Sequence, residues 1–278
     1  MSLETLEKVK TNYEDQLNEW VQYERATIDL ITTIGKLWFE RSIELVLFRN
    51  QLVDRSASEL MQLHMYAKDI VKKPISVKDT VMLANEIYKA ADICPSRIDI
   101  GRLAFEWDSE QKNFKSAGDF LKNKLKDFIG TKHTIIPKDV VLFGFGRIGR
   151  LAARELIAQA GKGEQLRLKA IVTRGSSDEE IIKRADLLRN DSVHGPFPGT
   201  VIEDLENKTL IINGHIVHMI DAKNPEDVDY TKYGVNDALL IDNTGAWRDR
   251  EGLSRHTKAK GISKVLLTAP GKGDIPNV

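Results

Sequence analysis

Val140-Val141-Leu142-Phe143-Gly144-Phe145-Gly146-Arg147-Ile148-Gly149-Arg150 decides how this chain folds. The four leading apolar residues show no polar alternation, which suits a strand buried on both faces of a parallel sheet. The six residues from Gly144 fit G-x-G-x-x-G, and Leu151–Ala160 beyond them has helical periodicity. The glycines therefore stand between a strand and a helix, the context in which the motif binds a dinucleotide. Gly144 permits a tight turn, Gly146 lets the backbone approach a diphosphate, and Gly149 lets the helix pack closely on the strand. The helix start would offer unpaired N–H groups and a partial positive charge to that diphosphate.

Downstream, strand-like runs recur at Leu166–Thr173, Thr209–Asn213, Ile216–Ile220, Ala238–Asp242 and Val265–Thr268, with a helical stretch at Glu179–Leu188. This alternation predicts an α/β, Rossmann-type, doubly wound parallel sheet over residues 139–278. Upstream the texture is helical. Apolar residues at steps of three or four run over residues 2–34, Gly35 marks a break, and the pattern resumes over 36–73. Ser56 and Ser58 with Glu59 signal a fresh helix start, and Pro74 a stop. Val77–Ala91 is helical with Ser76 and Asp79 in cap positions. A short helix is expected in Ser96–Leu103, a polar turn in Glu106–Ser116, and a last amphipathic helix in Asp119–Ile129. Residues 1–130 thus form an all-helical N-terminal extension, and 131–138 a linker.

Composition narrows the function. The 278 residues carry 41 basic and 41 acidic side chains, so bulk charge gives no affinity for nucleic acid or anionic lipid. Cys94 is the single cysteine, which excludes a disulfide framework within the chain and a Cys-rich metal site. No apolar run approaches the ~18 residues of a membrane span, and the charged start, Met1 to Lys10, is no secretory signal. The chain reads as cytoplasmic, with a dinucleotide as its partner and neither nucleic acid nor membrane.

The end of the second strand bears on which dinucleotide. An NAD site usually has Asp or Glu there, accepting from the adenosine ribose. Here Thr173-Arg174-Gly175-Ser176-Ser177 follows, with no carboxylate until Asp178. An Arg among small hydroxyl residues suits a 2′-phosphate, which points to NADP being accepted beside NAD. The alternative is that Arg174 is a solvated surface residue.

Five ordered blocks resemble glyceraldehyde-3-phosphate dehydrogenase: Gly144–Arg150, Asp191-Ser192-Val193-His194-Gly195-Pro196-Phe197, Leu210–Gly214, Asp242-Asn243-Thr244-Gly245-Ala246-Trp247, and Lys264–Lys272. With the helical front half, the chain looks like the long bacterial form with an N-terminal extension. The resemblance implies that Gly144, Gly146, Arg147, Ile148 and Gly149 form the pyrophosphate site, with Arg147 and Ile148 approaching it by their backbone amides. It places Thr173 where the family usually has its ribose-binding Asp, and Lys223 beside the adenine. Thr244 and Gly245 would line the crevice, and Thr268 would lie near the nicotinamide. It implies phosphorylating oxidation of glyceraldehyde 3-phosphate with NAD or NADP, in a homotetramer. The family's nucleophilic Cys block and its base His fall beyond Val278. The expectation is therefore a fragment with the cofactor half-site, no catalytic residue and no turnover of its own. Rival readings are a non-catalytic nucleotide-sensing or assembly protein, and a related dehydrogenase acting on erythrose 4-phosphate.

The other notable side chains have plainer readings. His194 suits a packed or hydrogen-bonded role, and His215 with His218 lie on a hairpin rather than at helical metal spacing. His64 fits a core or an interface, Cys94 a half-buried site, and Trp20, Trp38 and Trp107 packing anchors. Asp178-Glu179-Glu180 suits the first turn of a helix. Asp242, at a strand end, suits a local hydrogen bond as well as a cofactor contact.

Overall fold

A computed structural model describes residues 3–90, 92–130, 136–161, 163 and 165–277. The chain divides into two compact units, Met1–Thr134 and Ile135–Val278. Most of the expected linker, residues 131–135, lies outside the described residues.

The first unit comprises α1 (Leu3–Arg41), β1 (Ile43–Leu47), β2 (Asn50–Gln51), α2 (Ala57–Val71), α3 (Val77–Lys89), β3 (Ser96–Asp99), α4 (Ile100–Glu110) and α5 (Ala117–Lys124). Helix α1 runs straight through Gly35. One helical glycine costs ~1 kcal/mol, less than the ~1.5–3 kcal/mol from burying each of Ile34 and Leu37 beside it. The capping box at Ser56 and Glu59 is present, and Ser76 accepts from the Asp79 N–H.

Strands interrupt the helical pattern in this unit. Ser42, at φ 52°, ends α1, and Ile43–Val46 then pair in parallel with Ser96–Asp99. The run Ile43-Glu44-Leu45-Val46-Leu47 fits a helix as readily as a strand, and only the distant partner decides. Asp99 caps α4 by accepting from Arg102 N at 3.1 Å. That cap and the Arg102–Glu106 pair at 2.9 Å carry α4 to Glu110, through part of the stretch expected as a turn. Trp38 is buried and Trp107 packs edge-on against Phe120. Trp20 is 52% exposed and anchors no core. His64 is buried, and Cys94 is half-buried.

The second unit comprises β4 (Lys138–Phe143), α6 (Arg147–Ala158), β5 (Leu166–Thr173), α7 (Asp178–Arg189), β6 (Asn190–Asp191), β7 (Gly195–Pro196), β8 (Val201–Asp204), β9 (Thr209–Ile212), β10 (His215–Asp221), β11 (Ala238–Asp242), α8 (Arg250–Lys258) and β12 (Ile262–Leu267). Its seven-stranded sheet has the order β12-β11-β4-β5-β10-β9-β8. The first five of these pair in parallel, and β9 and β8 add an antiparallel edge. Counted along the chain, the parallel strands lie in the order 5-4-1-2-3. The direction of winding therefore reverses between β4 and β11, where dinucleotide sites form.

Strand β4 is buried on both faces, as its unbroken apolar run requires. Val140 and Leu142 face a core with Ile157, Ile171 and Ile181. Val141 and Phe143 face the opposite core, with Val172, Tyr230 and Leu240. Among the described residues no helix is long and apolar enough to cross a membrane.

Candidate dinucleotide site

The site lies at the carboxyl ends of β4, β5, β10, β11 and β12. Gly144 leaves β4 at φ 94°, its N–H donating to Val172 O at 2.9 Å. A Cβ at Gly144 would stand 2.7 Å from Thr244 Cγ2, so the turn and the end of β11 touch. A Cβ at Gly149 would fall inside the van der Waals envelope of the Gly144 carbonyl oxygen, so α6 meets the turn backbone to backbone. Gly146 is different. It is the N-cap of α6, has no side chain to cap the helix, and has open space where a Cβ would go. Gly146, Arg147 and Ile148 are exposed. The first N–H groups of α6 thus face solvent, ready for an anion.

Arg150 points elsewhere. Its Nη2 pairs with Asp191 Oδ2 at 3.1 Å, with both side chains largely buried. Asp191 also accepts from the Val193 and His194 N–H groups and the His194 ring, each at 3.0 Å. These bonds, with that to Val193 foremost, hold the Asp191 carboxyl well below the usual carboxylate range. The Asp191–Phe197 block is thereby tied to α6, helped by Arg154, which donates to Leu188 O and Gly195 O. His194 is a hydrogen-bonded histidine. His215 and His218 lie on β10, and no metal-binding cluster exists among the described residues.

At the end of β5, Thr173 is buried and its hydroxyl donates to Gly175 O at 2.8 Å, shaping the turn. Arg174 is exposed. Two carboxylates that sequence reading missed converge here. Asp221, opposite Thr173 in the β10–β5 register, accepts from Gly175 N at 2.7 Å. Glu180, in the capping box of α7 with Ser177, leaves no room for a Cβ at Gly175. Asp221 ends a strand, a hint visible in the sequence; its pairing across β10 and β5 was not. Lys223, exposed, follows two residues later.

The opposite wall is the turn after β11. Asp242 is fully buried; its Oδ1 accepts from Thr244 N at 2.7 Å and Thr244 Oγ1 at 2.6 Å. Its Oδ2 lies 3.1 Å from Nε2 of His256 on α8, which is also fully buried. The Asp242 carbonyl accepts from Thr268 N at 3.1 Å, and the Thr268 hydroxyl lies beside it. Gly245, at φ 65°, continues the turn. The structure thus gathers Gly144, Gly146, Arg147, Ile148, Gly149, Thr244, Gly245 and Thr268 around the β4–β11 crevice, with Thr173, Arg174 and Lys223 at its β5–β10 side. The local half of the Asp242 arrangement is legible as an Asx turn; His256, fourteen residues on, is not.

Comparison with known proteins agrees with this geometry. Residues 138–250 match the family described as glyceraldehyde 3-phosphate dehydrogenase, NAD binding domain. A glyceraldehyde-3-phosphate dehydrogenase-like protein of Pseudomonas aeruginosa is 41% identical over 253 residues, 90% of this chain and 54% of that protein. The match is longer than the second unit and so reaches into the helical one. Glyceraldehyde-3-phosphate dehydrogenase of Zymomonas mobilis is 37% identical over 136 residues, 49% of this chain and 37% of that protein. The chloroplastic glyceraldehyde-3-phosphate dehydrogenase A of Zea mays is 36% identical over 138 residues, 49% of this chain and 32% of that protein. The chain spans about half the length of the first of these and about a third of the others. Residues 138–250 thus match that family's NAD-binding domain, and the chain as a whole is similar to a glyceraldehyde-3-phosphate dehydrogenase-like protein.

Proposed function

We propose that the second unit binds NAD across the β4–β11 crevice, and that it is the cofactor unit of an enzyme oxidising glyceraldehyde 3-phosphate with phosphate uptake. The observation that carries this reading is the uncapped, exposed start of α6 behind Gly146, beside glycines that allow no side chain. The diphosphate would accept from the amides of Arg147 and Ile148. The adenosine half would extend toward Thr173, Arg174 and Lys223, and the nicotinamide half toward Thr244 and Thr268. Bound there, the cofactor supplies a hydride acceptor.

NADP is accepted too on this reading, because Arg174 and Lys223 offset the charges of Asp221 and Glu180. The named relatives support glyceraldehyde 3-phosphate over erythrose 4-phosphate as substrate, and the family resemblance supports a cytoplasmic homotetramer for the whole protein. Cys94 lies in the helical unit, between α3 and β3, outside any block resembling the family's nucleophile. The 278 residues therefore bind cofactor without turnover. Two measurements test this. Calorimetric titration should give one NAD site per chain. Incubation with glyceraldehyde 3-phosphate, phosphate and NAD should give no NADH. Absence of NAD binding, or turnover that survives Cys94→Ser, would overturn the reading.

A further inference from the structure

The buried pair of Asp242 and His256 is not explained by packing alone. A carboxylate only accepts, so the proton of the pair sits on His256 Nε2. Its Nδ1 has no partner among the described groups. The ring is wedged edge-on between Phe143 and Trp247, with centroids at 4.9 and 5.6 Å. His256 thus has one polar contact, and that contact is the carboxylate whose other oxygen holds Thr244. The same aspartate's carbonyl holds Thr268. Thr244 in turn touches the glycine turn, since its Cγ2 occupies the space of a Gly144 Cβ.

We propose that His256 is a positioning residue for the dinucleotide crevice: through Asp242 it fixes Thr244 and Thr268, the wall facing the half of the dinucleotide beyond the adenosine phosphate. The inference rests on the NAD reading above. Its logic is geometric. With strand order 5-4-1-2-3 and the adenosine over β5, the remaining half must lie over β11 and β12. Thr244 and Thr268 are the groups at those strand ends that the pair organises. A buried carboxylate without its histidine partner can swing, because a fixed hydrogen bond to it has been removed, and the wall swings with it.

The test compares three ligands on the full 278-residue chain by calorimetry: AMP, which reaches only the adenosine side, ADP-ribose and NAD. In His256→Leu, ADP-ribose and NAD should bind about tenfold more weakly, the effect of losing one charge-assisted hydrogen bond of ~1.4 kcal/mol. AMP should change less than about twofold. His256→Gln, whose amide can donate to Asp242, should recover most of the loss. Equal weakening of AMP and ADP-ribose, or no weakening of either, would overturn the proposal. If His256→Leu does not fold, Thr244→Val carries the same comparison: selective loss of ADP-ribose supports the proposal, and a uniform change refutes it. A wild-type chain that binds none of the three ligands refutes the NAD reading itself, a result distinct from a variant that binds them all normally.

Discussion

Gly149→Ala sets two physical effects against each other. On helix propensity alone, replacing a helical glycine by alanine stabilises by up to ~1 kcal/mol. The contact at Gly149 opposes this. The added Cβ would overlap the Gly144 carbonyl oxygen, stand 3.2 Å from the Gly144 carbonyl carbon, and lie 3.6 Å from Asn243 Cβ. All but the last are backbone atoms, so no rotamer change relieves the clash. Relief requires α6 to move away from the turn by roughly 1 Å, given that nonbonded atoms rest ~3.5 Å apart. Overpacking of this kind costs about 2–3 kcal/mol, leaving a net loss of about 1–2 kcal/mol. For a unit of this size that lowers the melting temperature by about 3–8 °C. Scanning calorimetry of the second unit's transition reads the shift directly. NAD affinity should fall as well, because the displaced helix start no longer presents its amides at the turn. A melting temperature equal to or above wild type would refute the packing argument, since it would mean that α6 and the turn are not in backbone contact.

The remaining predictions are independent of that contact. Gly146→Asp should leave stability unchanged or raise it by a few tenths of a kcal/mol, since Asp caps helices at least as well as Gly. It should also abolish NAD binding measured by calorimetry, by setting a carboxylate against the diphosphate. Arg174→Ala should weaken NADP about tenfold and NAD little, as expected for one exposed cation lost from a phosphate; equal weakening of both in parallel titrations would remove the 2′-phosphate role. His64 gives a pH dependence. Its ring lies between Leu60 O at 2.8 Å and Thr80 Oγ1 at 3.0 Å, and burial lowers its pKa in the folded state. Below about pH 6.5 the unfolded chain therefore binds a proton that the folded chain refuses, and stability falls as pH falls toward the folded-state value. Hydrogen exchange of α2 and α3 amides should accelerate between pH 7.5 and pH 5 beyond its intrinsic change, and His64→Gln should lose part of that acceleration.

What the sequence disclosed follows the range of the interactions involved. The β4–α6 turn was legible because its determinants are local: a two-sided buried strand, three glycines and a helix start within a dozen residues. The caps at Ser56 and Ser76 were legible for the same reason. Strand β1 was not, because Ile43–Leu47 takes its conformation from pairing with β3, some fifty residues away. The polar helix end at Glu106–Glu110 was hidden until the fold placed Lys124 beside it; Lys124 contacts both Glu106 and Glu110 at 2.9 Å. Within the site, the motif glycines could be read from their spacing, and the threonines after β11 and β12 through the family resemblance. Asp221 and Glu180 at Gly175, and His256 behind Asp242, came only with the sheet that assembles them. Charge was the feature most easily misjudged: residues 173–177 contain no carboxylate, yet the fold brings two to their backbone.

The central claim is that the amides opening α6 hold a dinucleotide's diphosphate. Amide-resolved NMR of the isotopically labelled chain, with NAD added to saturation, tests it most directly. The account predicts that the Arg147 and Ile148 N–H resonances move downfield and exchange more slowly with solvent, as N–H groups do on acquiring a charged acceptor, and that both effects vanish in Gly146→Asp. Saturable NAD binding that leaves those two amides unmoved would contradict it.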